Sequence, residues 1–319
     1  MIAYYLFCFF ICCAALYIAG NWVVEGVSRI AKFFGLKEFV TAFFVMALAA
    51  TLPNLFLAIM SVAGGVPELS LGDVMGGNVV DMTLAVALAV FFSKKGIDAK
   101  SQTVQASLVF TFGAAVLPLV LLFDNNLSRG DGCVLLVFFF SYVFWLLSRQ
   151  ERFKEIYSGH PVSIGKHFDQ IAKDIAKVIF GIAVLMVVAQ LIVSSAQNFS
   201  MDFAVALPLV GILIIGLGNS FPEIYFGIIA ARANKTKMLL GDIMGAIILP
   251  GTLVLGMVAL LSPIKITDFS NFAAARYFLF IAAVFFFVSV RTGQKVTKRE
   301  AAMLLFIYIA FLITEVFTR

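Results

Sequence analysis

Long apolar segments recur along almost the whole chain and constrain its fold more than any other feature. Of the 319 residues, 62% are hydrophobic and 13% are charged, and a soluble domain of this size cannot bury so much apolar surface. A helix needs roughly 20 mostly apolar residues to cross a bilayer. Ten segments meet this length, at about 2–28, 39–63, 70–92, 102–123, 132–148, 176–197, 203–231, 238–261, 270–290 and 299–317. We therefore predict an all-α polytopic membrane protein with ten transmembrane helices.

The connections between these segments are short, which leaves no room for a sizeable soluble domain. The longest one, 149–175, is predicted to be a cytoplasmic loop between a five-helix unit at 1–148 and a second at 176–319. The first segment has no positive charge before it and is longer than the apolar core of a signal peptide. We expect it to remain in the membrane as a helix.

Lysine and arginine are distributed unequally between the two ends of the predicted helices. One end holds 19 of the 23 and the other holds four, namely Arg129, Lys265, Arg276 and Arg319. The positive-inside rule assigns the richer end to the cytoplasm, and an even number of helices then places both termini outside. The net charge of +5 thus indicates topology, and we expect a lipid bilayer as the surroundings, no nucleic acid and no obligate protein partner.

Two proline-containing stretches, TLPNLF at 51–56 and SFPEIY at 220–225, belong to an internal repeat. Pro53 and Pro222 are 169 residues apart, and the same offset aligns LSLGDVMGG at 69–77 with MLLGDIMGA at 238–246. In the predicted topology the second helix starts in the cytoplasm and the seventh starts outside, so the repeat is inverted. Inverted repeats whose helices break near mid-membrane are typical of secondary transporters.

The two prolines suggest a site for cations. Proline inside a helix removes a backbone hydrogen bond at a cost of roughly 3 kcal/mol, and the freed carbonyl needs another partner in lipid. We expect the carbonyls of Ala47 and Gly216 to face a bound cation. The oxygen-bearing side chains near the two prolines are Thr51, Asn54, Asp81, Asn219, Ser220 and Glu223. Oxygen ligands of this kind suit hard cations such as sodium and calcium.

Four acidic residues of the predicted helices lie in the repeat-related segments. Asp81 and Glu223 lie near mid-helix, where a carboxylate costs about 3 kcal/mol; they are either metal ligands or hydrogen-bonded acids that only join helices. Asp73 lies two turns from Asp81 on the same helix face, and Asp242 is its counterpart in the second repeat. Each of these two aspartates either lines an access path or caps the start of a helix.

These stretches resemble the motifs of the cation/calcium antiporter superfamily, which includes the sodium/calcium exchangers. Each repeat of that family carries G-[ST]-S-x-P-E followed by G-N-x-x-G-S-N, and AATLPN at 49–54 and GNSFPE at 218–223 are similar to the first of these stretches. GNWVVEGVSRIA at 20–31 is similar to the family's first helix.

The resemblance implies ten helices in two inverted repeats, and a secondary active antiporter that moves calcium or a related cation against sodium or protons by alternating access. It implies no enzymatic activity and no cofactor besides the transported ions. The short cytoplasmic connection also favours a prokaryotic cytoplasmic membrane as the location.

The sequence departs from the family's pattern at the ion site. The resemblance implies ligands at four positions, which here are Asn54, Asp81, Glu223 and Pro250. Two carboxylates remain, enough to neutralise one calcium ion, whereas a site for three sodium ions becomes harder to build. A cation antiporter of changed ion selectivity and a relative that no longer transports therefore stay open as alternatives.

Two further functional classes share some of these features. Inverted repeats with broken helices also occur in channels, and nothing in the sequence excludes one. The Gly-Asp pairs at 72–73 and 241–242 raise the possibility of an intramembrane aspartyl protease, but the sequence has no Tyr-Asp pair and no Pro-Ala-Leu stretch. Equivalent repeat positions near opposite membrane faces also oppose a catalytic dyad.

Overall fold

The computed structural model describes residues 2–33, 38–148, 168–266 and 270–317, and helices account for most of them. The first half contains α1 (Ile2–Phe33), α2 (Glu38–Ala63), α3 (Pro67–Val80), α4 (Val86–Phe92), α5 (Gln102–Leu121) and α6 (Arg129–Ser148). The second half contains α7 (Phe168–Phe203), α8 (Leu207–Leu209), α9 (Gly216–Asn219), α10 (Phe221–Arg232), α11 (Thr236–Ile248), α12 (Leu255–Leu261), α13 (Ser270–Arg291) and α14 (Lys298–Phe317). Segments of π-helix at Asp81–Ala85, Val210–Ile215 and Leu249–Val254 join α3 to α4, α8 to α9 and α11 to α12.

Three of the resulting composite helices build the centre of the protein. We call Pro67–Phe92 the first central helix, Thr236–Leu261 the second central helix, and Leu207–Arg232 the broken helix. In each central helix 78% of the most apolar stretch is buried, against 11% in Arg129–Leu146. The central helices are the two that carry the aligned Gly-Asp stretches, so the repeat in the sequence occupies the core of the fold.

Within the described part of the chain, eight helices are long and apolar enough to cross a membrane, which confirms a predominantly helical membrane protein. They are the three composite helices together with Gln102–Asp124, Arg129–Leu146, Lys173–Phe203, Ser270–Arg291 and Lys298–Phe317. Shorter apolar stretches lie in α1 and α2, at Phe7–Val23 and Thr51–Ala63. The count of ten transmembrane helices stays a prediction. Of the predicted loop 149–175, residues 149–167 lie outside the described residues, and α7 already begins at Phe168.

Four strands of two residues each add small β ladders that the all-α prediction did not contain. Ile97–Asp98 (β1) pairs antiparallel with Lys295–Val296 (β4), and Asn126–Leu127 (β2) pairs antiparallel with Ile264–Lys265 (β3). Two residues are too few to show the alternating pattern by which a strand is recognised. Each ladder joins a connection of the first half to one of the second, and both members of each pair were predicted to lie on the same side of the membrane.

Ion pairs fix α1 against α7. Arg29 Nε lies 2.6 Å from Asp174 Oδ1, and Lys177 Nζ lies 2.6 Å from Glu25 Oε2. Half-exposed pairs such as these contribute on the order of 1 kcal/mol or less, so their main effect is to set the register between the two helices.

Pro53 does not break its helix, because α2 continues from Glu38 to Ala63. The prediction of a break at this proline is therefore wrong. A Cβ on Gly20 of α1 would lie 3.4 Å from Pro53 Cγ, so a glycine lets the neighbouring helix pack against the ring and support α2 there. The helix that contains Pro222 does break, at Ser220 between α9 and α10.

Candidate functional site

Glycines bring the first central helix and the broken helix into backbone contact. A Cβ on Gly216 would lie 2.6 Å from the backbone nitrogen of Gly77, and a Cβ on Gly76 would overlap the carbonyl of Ile212. Only a residue without a side chain permits this approach. Because the two helices approach so closely, the polar side chains next to the crossing line the same cavity.

This cavity has a volume of about 20 Å³ and lies between α2, the two central helices and the broken helix. A space of this size holds one water-sized particle, and a single metal ion stripped of its hydration shell also fits. The lining residues are Asn54, Asp73, Val74, Gly77, Asn78, Asp81, Asn219, Ser220, Glu223, Ala246 and Pro250.

Two carboxylates of this lining each leave one oxygen unpaired. Asp81 Oδ1 and Glu223 Oε2 are buried and have no hydrogen-bond partner among the described residues, and the Asp81 side chain is only 4% exposed. A buried carboxylate oxygen without a partner is costly, and a bound cation would remove that cost. Among the described residues no cluster of three or more His, Cys, Asp or Glu side chains suits a metal, so neutral oxygens would have to complete the coordination.

Two neutral side chains at the break are attached to the first central helix. Asn219 Nδ2 donates to Asp73 Oδ1 at 2.9 Å, and Ser220 Oγ donates to the Gly77 carbonyl at 3.4 Å. The break is thus positioned by the helix that also carries Asp81.

The structure gathers most of the predicted ion ligands in one place. Asn54, Asp81, Asn219, Ser220 and Glu223 all line the cavity although they come from three different helices. Their assignment as ligands stays a prediction, but their predicted proximity is present in the fold.

Three predicted ligands are placed differently. Thr51 is buried, at 3% exposure, but does not line the cavity. The Gly216 carbonyl accepts the Ser220 N–H at 3.2 Å and Gly216 does not line the cavity, so its role as a ligand stays a prediction. Ala47 lies in the part of α2 whose side-chain surroundings are outside the described residues.

Neither of the two repeat-related aspartates caps a helix, so that alternative is wrong. Helix α3 begins at Pro67 and α11 begins at Thr236, which places Asp73 and Asp242 well inside their helices. Asp73 is buried and lines the cavity, whereas Asp242 is half-buried and does not. A role of both residues in an access path stays a prediction.

Asn78 is the polar lining residue that the sequence reasoning missed. It is 3% exposed, and its Nδ2 would lie 3.4 Å from a Cβ on Gly251 of the second central helix. Its signal was present, since a lone amide follows Gly77 in an apolar segment. The repeat hid it, because the equivalent position is Ile247.

The two central helices are locally equivalent where the repeat aligns them. Thr83 Oγ1 donates to the Val79 carbonyl, and Thr252 Oγ1 donates to the Ile248 carbonyl at 2.6 Å. Both threonines lie in π-helical segments, which are common at functional sites. The pairs are related by the same offset of 169 residues, so the sequence repeat corresponds to a structural one at this point.

Comparison with known proteins assigns the chain to a family. The family model described as sodium/calcium exchanger protein matches residues 4–148 and again residues 173–317. A curated relative, the sodium/calcium exchanger MaX1 of Methanosarcina acetivorans, is 23% identical, with 92% of this chain and 93% of the relative covered.

Two solved structures share the fold. The sodium-calcium exchanger NCX_Mj, soaked with Na⁺ and Sr²⁺, has a TM-score of 0.63 and 22% identity, covering 98% of this chain and 99% of that chain. The H⁺/Ca²⁺ exchanger CAX has a TM-score of 0.73 and 15% identity, covering 95% and 79%. Members of the matched family are transporters and not enzymes, and the chain belongs to the sodium/calcium exchanger family of membrane transporters.

Proposed function

We propose that the chain is a secondary active antiporter that exchanges calcium or a related divalent cation for sodium ions or protons by alternating access. The observation that carries the proposal is that Asp81 and Glu223 line one cavity and that each has a buried carboxylate oxygen, Oδ1 and Oε2, without a hydrogen-bond partner among the described residues. Two carboxylates supply the charge that neutralises one divalent cation. We propose both residues as the metal ligands.

Neutral oxygens complete the proposed coordination. Calcium takes six to eight oxygen ligands in flexible geometry, and two carboxylates provide at most four. Amide and hydroxyl oxygens of Asn54, Asn219 and Ser220 line the same cavity and supply further ligands. The small cavity leaves little room for water, so the protein itself has to replace most of the hydration shell.

The charges of the Asp81 and Glu223 carboxylates are the reason why we propose ion exchange rather than flow through a channel. A cavity with two buried carboxylates and no cation is costly, so the helices can rearrange at low cost only when the charges are neutralised. Either the divalent cation or the counter-ions meet that condition. This requirement couples the two fluxes, and it favours an antiporter over a channel.

The counter-ion is proposed as sodium or protons because the relatives differ on this point. MaX1 is named a sodium/calcium exchanger, whereas CAX is named an H⁺/Ca²⁺ exchanger. A second candidate is an antiporter of changed selectivity or a relative that no longer transports. It is favoured by Asn54 and Pro250, two uncharged residues that line the cavity at positions where the family resemblance implies ligands.

We propose ten transmembrane helices in two inverted repeats, 1–148 and 176–319, with α1 and α2 as the two that add to the eight long apolar ones. Both termini are proposed to face the outside of a prokaryotic cytoplasmic membrane. The two family-model matches, one in each half, support the division. The two β ladders support the grouping of the four connections that they join.

The test is radioactive calcium uptake by the full chain in proteoliposomes, driven by a sodium or a proton gradient. Glu223→Gln removes one proposed ligand, and Glu68→Gln is the matched control because Glu68 lies in the first turn of α3 and does not line the cavity. Saturable, gradient-driven uptake that Glu223→Gln abolishes and Glu68→Gln retains supports the proposal, and the effective gradient identifies the counter-ion. Absence of gradient-driven flux for calcium, strontium, manganese and magnesium contradicts it. Uptake that needs no counter-ion and does not saturate indicates a channel.

A further inference from the structure

Asp73 has a role that the proposed ion ligands do not account for. We infer that Asp73 is a positioning residue, whose carboxylate orients the Asn219 amide so that the amide oxygen faces the cavity. The inference rests on the proposed function, because Asn219 is one of the proposed ligands.

The hydrogen bond between the two side chains sets the direction of the amide. Asn219 Nδ2 lies 2.9 Å from Asp73 Oδ1, and an amide NH₂ group donates hydrogen bonds whereas its oxygen accepts them. The amide therefore turns its NH₂ group towards Asp73. Because the oxygen and nitrogen of a planar amide point in different directions, the oxygen points away from Asp73, and the inference assigns it to the cavity that Asn219 lines.

The hydrogen-bond partners separate this role from that of Asp81. Both aspartates line the cavity, but Asp73 Oδ1 already accepts the Asn219 amide at 2.9 Å, whereas Asp81 Oδ1 has no partner among the described residues. Asp73 forms no ion pair within the part of the chain that the structure describes; its recorded side-chain partner is Asn219.

A second hydrogen bond to the first central helix helps to hold the break in place. Ser220, the next residue along the break, donates to the Gly77 carbonyl one helical turn after Asp73. Two consecutive side chains of the break are therefore held by the same helix. Since Glu223 follows three residues later in α10, the orientation of the break also affects where its carboxylate lies.

The Asp73–Asn219 hydrogen bond has no equivalent in the other repeat. The offset of 169 residues relates Asp73 to Asp242 and Asn219 to Ala50. Alanine has no amide, so the equivalent hydrogen bond cannot form in the first half. Asp73 and Asp242 thus occupy equivalent repeat positions but have different roles. Of the two, only Asp73 has an asparagine side chain to orient.

A double-mutant cycle tests the inference on the full chain. Calcium binding at equilibrium is measured on purified protein with radioactive calcium, and KM and maximal rate are measured in proteoliposomes. The variants are Asp73→Ala, Asn219→Ala, their combination, and Asp73→Asn, with Asp73→Leu as a second variant that preserves the volume of the side chain. Size-exclusion chromatography in detergent establishes that each variant is folded.

We expect substitution of Asp73 to weaken calcium binding only by way of its effect on Asn219. Asp73→Ala and Asp73→Leu each weaken calcium binding about 10-fold, as expected when a buried donor loses its hydrogen-bond partner, and raise KM while the maximal rate changes less than about 3-fold. The double variant is no weaker than Asn219→Ala alone, because partners in one interaction are not additive. Asp73→Asn keeps an acceptor oxygen and retains most of the affinity.

Other outcomes overturn the inference. Additive losses in the double variant show that Asp73 acts independently of Asn219, and a fall in maximal rate at constant KM assigns it to an access path instead. Unchanged binding in both Asp73→Ala and Asp73→Leu shows that the amide needs no orientation. Absence of calcium binding and flux in the unmodified protein rejects the proposed function itself, which distinguishes the two failures.

Discussion

Asp81 in the first central helix and Glu223 in the broken helix line the same cavity, and each carries a buried carboxylate oxygen that has no hydrogen-bond partner among the described residues. The two residues are far apart in sequence, and the glycine crossing at Gly77 and Gly216 brings their helices together. The site thus depends on a close backbone contact between glycines, which have no side chains that could bind an ion. Four predictions follow from this arrangement and from the surrounding fold.

Asp81→Asn should remove calcium transport as completely as Glu223→Gln does. A single carboxylate leaves a divalent cation half-neutralised in a buried cavity, and we expect calcium affinity to fall about 100-fold, because affinity in such sites follows the number of charged ligands. The measurement is a calcium-binding isotherm on purified protein. Asp124→Asn, which changes an exposed aspartate of a surface turn, is the control and should bind as the unmodified protein does. Unaltered binding by Asp81→Asn would remove Asp81 from the ligand set.

Asn54→Asp should tighten the site for divalent cations. Asn54 lines the cavity together with Asp81 and Glu223, so the substitution adds a third carboxylate, and we expect calcium to bind about 10-fold more tightly. Competition of calcium with sodium for the purified protein measures the change. Asn198→Asp adds the same charge at an exposed position of α7 and should have no effect. Equal affinity in the Asn54 variant would mean that this side chain does not face the ion.

Gly76→Ala should destabilise the protein and impair the site, whereas its repeat counterpart Gly245→Ala should not. An added Cβ at Gly76 overlaps the Ile212 carbonyl, while none of the described atoms lies within 4 Å of a Cβ at Gly245. Overpacking of a tight contact costs about 1–3 kcal/mol, and replacement of a mid-helix glycine by alanine gains about 0.5–1 kcal/mol. Thermal unfolding of both variants in detergent gives the comparison. Equal melting temperatures would contradict the close crossing.

Cysteine labelling should place the two β ladders on opposite sides of the membrane. Lys265 belongs to β3 and Lys295 belongs to β4, and both side chains are exposed. A membrane-impermeant maleimide should react with Lys265→Cys in intact cells, and with Lys295→Cys only after permeabilisation, because the positive-inside rule puts the Lys-rich side in the cytoplasm.

This labelling is done after replacement of the free cysteines Cys8, Cys12 and Cys133, which are at least partly exposed. Labelling of both positions from the same side would contradict the topology. The reverse pattern would keep the fold but invert its orientation, placing both termini inside.

Local chemistry explains what the sequence was able to predict. Membrane helices follow from the length of apolar segments, a property that each segment carries by itself. The repeat offset singled out the stretches around Pro53 and Pro222, because Pro, Gly and Asp are rare enough in apolar segments for their spacing to be informative. Asp81 and Glu223 were singled out as carboxylates near the middle of predicted helices. The alternating direction of the predicted helices grouped the connections into two ends, and the count of Lys and Arg predicted which end is cytoplasmic.

Partners from distant parts of the chain decided the rest. Pro53 and Pro222 are equivalent in the repeat, yet only the helix of Pro222 breaks, and the Pro53 ring packs against Gly20 of α1. Asp73 looks like its counterpart Asp242 in sequence, and only the fold supplies Asn219 as its partner. A sequence pattern records what a residue can do, whereas burial, close approach and the direction of a hydrogen bond arise only when separate helices pack together.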